Sequence, residues 1–219
     1  DALGRGRGGD ATASAGAAVG GVGGGVGGRA FEGTVLFGFW DSGGGPHRGG
    51  PAPGRAGGGA AAWLESFTNE EGQAESLPNG GDLELALLIC SFGSWSNVAG
   101  SHHAPFPWSL AVPDVADGVG VFGGFGERKA TAGLLASWGR STDRAARGFA
   151  LPSWGPGVPP ADGAPFRRAS IPALVVSDTG AQQAPEVRTW EDGPNFLDYR
   201  EMALRVRALA AVVGEPAGG

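Results

Sequence analysis

The residues with the right types and spacing for chemistry are few, and each has a competing structural use. Gly118-Val119-Gly120-Val121-Phe122-Gly123 has the G-x-G-x-x-G spacing with which a backbone turn receives a dinucleotide pyrophosphate at a helix N-terminus. With 44 glycines in 219 residues, chance alone supplies roughly two such matches, and Gly23, Gly25 and Gly28 make another. No cofactor is expected from it. His102 and His103 are adjacent, so on a strand they face opposite ways and cannot share a metal, and His47 stands alone among glycines. No H-x-x-x-H, second cysteine or G-x-S-x-G accompanies them, and no metal site is expected. Cys90, the single cysteine, reads as a small buried hydrophobe. The rings of Trp95, Phe106 and Trp108 could stack on a sugar or a base, but a chain poor in large aliphatics needs them for its core.

Leu174-Val175-Val176-Ser177 runs into Asp178-Thr179-Gly180-Ala181, an apolar strand entering a turn. This stretch resembles the active-site loop of retroviral-type aspartic proteases. The resemblance implies a dimer in which two such loops place paired carboxylates around a water, with Asp178 the catalytic carboxylate. Ser177 stands where that family has the aspartate directly after the apolar pair, and only 41 residues follow Asp178. Val212-Val213-Gly214 has the composition of the family's closing motif. The same residues also suit an ordinary strand-to-turn junction.

The elements that must position these groups are uneven in strength. The clearest is a C-terminal amphipathic helix, opened by Asn195 and Asp198 in a capping-box-like start and closed by Gly214 as a left-handed cap before Pro216. Phe196, Tyr199, Met202, Ala203, Val206, Leu209, Ala210 and Val213 form its apolar face, with Asp198, Arg200, Glu201, Arg205 and Arg207 away from it. Leu197 and Leu204 lie on a second ridge that could meet a neighbour. A helix is also expected over 127–138, stopped by Gly139, and a short one over 60–67. Strands are expected at 34–40, 83–92, 119–122, 173–176 and 186–190, with proline-rich loop at 148–172. The fold class is α+β, β-rich and irregular, with a long Gly-rich N-terminal arm.

More than half of the 44 glycines fall in residues 1–60, which read as an extended arm ahead of a compact α+β domain over 61–219. Glycine loses more backbone freedom on ordering than any other residue, so such an arm needs an outside surface to hold it. The net charge is −6, distributed unevenly: Ala61 to Glu127 carries nine carboxylates and no cation, whereas Arg128 to Arg168 carries seven cations against Asp143 and Asp162. Pairing of these blocks within the molecule is expected. No run reaches the length of a membrane helix. Because the chain starts at Asp1, processing from a larger precursor is expected.

Taken together, these features predict a non-enzymatic structural assembly protein, a virion capsid or capsid-decorating component. Phe31, Phe37, Phe39, Trp40, Leu197 and Leu204 would meet other copies of itself or a larger shell protein, with no small-molecule substrate. The alternatives are the aspartic protease using Asp178, and an RNA-associated arm using Arg5 and Arg7, although nucleic acid is the weaker partner.

Overall fold

The computed structural model describes residues 15–27, 35–38, 61, 63–64, 83–102, 113–150, 163–178 and 194–215. Within them the fold is α+β: a mixed four-stranded sheet with helices on both faces, including the C-terminal helix. The elements are α1 (Ala15–Val26), β1 (Ala86–Ile89), β2 (Val119–Gly123), α2 (Arg128–Ser141), β3 (Ala146–Ala150), α3 (Ala164–Arg168), β4 (Ala173–Ser177), a 3-10 turn (Pro194–Phe196) and α4 (Tyr199–Val213). The strand order is β1-β4-β2-β3. β1 runs parallel to β4 with Leu87 opposite Leu174, β4 is antiparallel to β2 with Val176 opposite Val121, and β2 is parallel to β3. Parallel neighbours require a crossover, and α2 supplies it between β2 and β3.

The pleat sorts β4 between two cores. Leu174 and Val176 join Val119, Val121, Trp138 and Leu209 under α1, α2 and α4. Ala173 and Val175 join Leu88, Phe122, Phe166 and Leu64 on the other face, with Cys90 half-buried at its margin. A strand buried on both faces reads as a continuous apolar run, which is why Ala173–Val176 stands out in the sequence, while the partly buried edge strand β1 stands out because Leu87 and Ile89 pack on one core and Leu88 on the other.

The glycine-rich segment departs from expectation. Ala15–Val26 is a helix and not part of an extended arm. Ala18, Val22 and Val26, four residues apart, are almost fully buried in one stripe. A Cβ on Gly21 would lie 2.6 Å from Val206 Cγ1, and one on Gly25 would lie 2.7 Å from Ala210 Cβ, so the bare backbone lets α4 come unusually close. Each glycine costs a helix about 1 kcal/mol relative to alanine. Burial against α4 of the same chain offsets that cost, and the argument that this segment needs a foreign surface fails for residues 15–26.

Smaller differences have local causes. β3 and α3 occupy ground read as loop, because Ala146-Arg147-Gly148-Phe149-Ala150 has no β-branched residue and α3 is only five residues long. α2 passes through Gly139 and ends at Thr142, whose N–H donates to Trp138 O. Gly214 closes α4 with φ −84°, in the right-handed region and not the left. Residues 35–38 lie outside any strand. Gly118-x-Gly120-x-x-Gly123 runs into and along β2, where Gly123 admits Leu174 and Thr131 at distances a Cβ would forbid, so these glycines pack strand against neighbours and do not form a phosphate-binding turn. The 186–190 strand, Phe106, Trp108, His47 and His103 lie outside the described residues. No helix among the described residues is long and apolar enough to cross a membrane.

Candidate functional site

At one end of the sheet, β1 and β4 finish where β2 and β3 begin. A cleft of about 210 Å³ opens there, lined by Trp95, Ser96, Asn97, Asp117, Asp143, Arg144, Ala145, Asp198, Glu201 and Arg205. Its parts come from the exit of β1, the approaches to β2 and β3, and the first turns of α4. The carboxyl ends of parallel strands are where α/β sheets leave room for a ligand.

Arg205 is the centre of the arrangement. The helical pattern put it on the polar side of α4, yet it is only 3% exposed, while Tyr199 on the expected apolar face is 59% exposed. Its Nη1 donates to Glu201 Oε2, its Nη2 donates to Asp117 O at 2.7 Å, and its guanidinium lies 4.4 Å from the Trp95 ring centroid. Burial lowers its pKa, opposed by the hydrogen bond and charge of Glu201. Glu201 also meets Arg144 at 3.3 Å. Asp117 takes Arg147 at 3.0 Å, joining the acidic block to the basic one within the molecule as the charge pattern predicted. Arg144 is itself held by its carbonyl, which accepts Trp138 Nε1–H at 2.7 Å.

α4 begins at the cleft. Asp198 is its N-cap, with Oδ1 accepting Glu201 N–H at 2.9 Å. The N–H of Asp198 donates to Gly93 O at 2.9 Å, which ties the helix start to the chain leaving β1. Trp95 follows two residues on, edge-to-face with Phe92 at 5.6 Å.

Asp178 directly follows β4 and is fully buried. Its Oδ2 accepts the N–H groups of Gly93 and Ser94, both at 2.7 Å. A carboxylate enclosed in this way organises backbone. It sits at the exit of β4, as the ordinary strand-end reading has it, and is fully enclosed where the protease resemblance implied a carboxylate open to a water. Thr179 and Gly180 lie outside the described residues, as do Phe31, Phe39, Trp40, Arg5 and Arg7. Phe37 is 42% exposed and lies over Gly23 of α1, and Leu197 and Leu204 are half-buried. Of the described residues among these, Phe37, Leu197 and Leu204, none lines the cleft. His102 serves a loop, with Nδ1 at 2.8 Å from Pro113 O. The sequence marked Trp95 as a core ring or a stacking surface for a sugar or a base, and did not show the roles of Asp117, Arg144 and Glu201. The favourable spacing of Glu201 and Arg205 was the one available signal.

No protein-family model matches the chain, and no curated protein matches it. Among solved structures it is similar to an aminopeptidase from Aneurinibacillus sp. strain AM-1 (13% identity, 71% of this chain and 29% of that one, TM-score 0.45). It is also similar to the Legionella pneumophila LapA aminopeptidase (15%, 70% and 34%, TM-score 0.47). A third is a Zn-dependent exopeptidase from Parabacteroides distasonis (15%, 80% and 52%, TM-score 0.44). The chain spans about a third to a half of the length of these neighbours. They are peptidases and none is a shell component. The expectation of a non-enzymatic virion or capsid protein is corrected at its premise: α1, part of the segment that was to need a foreign surface, packs on α4 of its own chain. Zinc is named for the last of these neighbours, but among the described residues no group of three or more His, Cys, Asp or Glu could hold a metal ion, so those residues do not fit it.

Proposed function

We propose that this chain is a peptide-handling domain of aminopeptidase type, whose cleft takes the protonated amino end of a peptide. The observation that carries this reading is the charge of the lining. Four carboxylates (Asp117, Asp143, Asp198, Glu201) stand against two guanidiniums (Arg144, Arg205), and adding Arg147, which pairs with Asp117, leaves the balance negative. Arg205 directs its Nη groups at Glu201 and a backbone carbonyl, so it is already neutralised and does not make an anion site. Asp143 is largely exposed, with only a loose pairing to Arg144 at 3.9 Å, and exposed Asp198 accepts the Glu201 N–H at Oδ1. These two can accept N–H donors from a guest, since an ionised carboxylate offers about four lone-pair positions. The neighbours' activity on peptide ends agrees with this reading, which rests on the cleft and not on that likeness.

The cleft's own side chains bind and orient: carboxylates for the ammonium, and the rigid Trp95–Arg205 wall to fix its approach. Calorimetric titration with L-leucinamide against N-acetyl-L-leucinamide tests this. Acetylation removes the charge, so binding at least tenfold weaker is expected for the acetylated compound, a difference of about 1.4 kcal/mol. Equal binding of the two, or none by either, refutes the proposal.

A further inference from the structure

We infer that Asp178 is the positioning residue of the cleft: its buried carboxylate fixes the backbone at Gly93 and Ser94, and through that segment sets Trp95 and the start of α4 against each other. The inference relies on the amino-end reading for what the cleft binds, whereas its geometry stands by itself.

β1 and β4 are parallel neighbours, so their exits lie side by side. The N–H of Asp178 donates to Ser91 O at 2.9 Å, and its Oδ2 accepts the N–H groups of Gly93 and Ser94, two and three residues further along. Two successive N–H groups on one oxygen fix the orientation of both peptide units. Charge-assisted bonds of this length are about twice as strong as neutral ones. Gly93 is then held from both sides, by Asp178 on its N–H and by Asp198 on its carbonyl. Asp198 caps the helix that carries Glu201 and Arg205, and Ser94 leads directly into Trp95, beneath the Arg205 guanidinium. One carboxylate thus reaches both walls of the cleft without entering the lining. Gly93 and Ser94 are buried, so solvent cannot replace it.

Asp178→Ala leaves two buried N–H groups unpaired, while Asp178→Asn keeps an uncharged acceptor oxygen. Leucinamide affinity is expected to fall at least tenfold in D178A and about threefold in D178N. Trp95 emission, isolated among the seven tryptophans by subtracting a Trp95→Phe partner of each variant, is expected to shift in the same order. A merely structural carboxylate lowers Tm and moves neither readout. Wild-type affinity and emission in folded D178A overturn the inference, as do the same results in D178N should D178A not fold. In the unmodified protein, hydrogen exchange at Gly93 and Ser94 is expected to be as slow as at Val175 and Val176, and loop-like rates overturn the inference without any variant. If the unmodified chain fails to bind leucinamide, the amino-end reading falls, while exchange and emission still decide the role of Asp178.

Discussion

Two adjacent glycines of α1 should respond to the same substitution in opposite directions. Gly24 faces outward with nothing within 4 Å of an added Cβ, so Gly24→Ala should stabilise the protein by about 1 kcal/mol, the helix preference of alanine over glycine. Gly25 faces α4. Its Cβ would come to 2.7 Å from Ala210 Cβ, about 0.7 Å short of ordinary contact, and Ala210 is buried with no rotamer by which to retreat. The helices must separate, and overpacking of this kind costs about 1–3 kcal/mol, which cancels or exceeds the helix gain. The two variants should therefore differ by about 1–3 kcal/mol. At about 2–4 °C per kcal/mol for a chain of this size, thermal unfolding followed by circular dichroism resolves the difference, and urea unfolding gives it directly. Equal stabilisation by both alanines would refute the claim that this helix is held by its own chain.

Other substitutions probe the cleft and its supports. Arg205→Ala removes a buried guanidinium from Glu201, the Asp117 carbonyl and the Trp95 face; a loss of about 2–3 kcal/mol is expected, toward the low end for a buried pair because Arg144 still neutralises Glu201. Denaturant unfolding checks it, and a loss under about 0.5 kcal/mol contradicts the geometry. Asp198→Ala deletes the N-cap of α4, with an expected cost of about 1 kcal/mol by the same measurement. Glu215 has its pKa lowered, first by the hydrogen bond that Arg140 Nη2 donates to its Oε2 at 2.6 Å. A folded-state pKa below the unfolded value means that the stability it adds is present above the usual 4.5 and is lost as pH falls through the lowered value. The Tm difference between wild type and Glu215→Gln should accordingly close on acidification below 4.5, and a gap that persists there contradicts the pairing.

How much was legible follows from which residues report their surroundings. β2 and β4 announce themselves because strands buried on both faces must be apolar throughout, β1 because Leu87, Leu88 and Ile89 alternate between the two cores, and α2 because Leu134 and Trp138 fall on one side. α1 was illegible because its stability lies in α4: Val206 and Ala210 are what make bare glycines useful, and no local pattern names a partner 185 residues away. The same limit hid Arg205. Its i,i+4 partner is written in the chain, but the Trp95 ring that covers it and the Asp117 carbonyl that receives it come from distant segments. Asp178 was conspicuous for its Thr-Gly neighbours, whereas its contacts with Gly93 and Ser94 depend on the sheet placing two strand exits together.

The amino-end reading is tested most directly by following backbone amide shifts of the 15N-labelled protein on titration with a short peptide that has a free amino terminus. Perturbations centred on Trp95, Ser96, Asn97, Asp143, Arg144 and Glu201, and absent with the N-acetylated peptide, are the predicted result. Shifts confined to α1 or to the opposite face of the sheet, or shifts unchanged by acetylation, would contradict it.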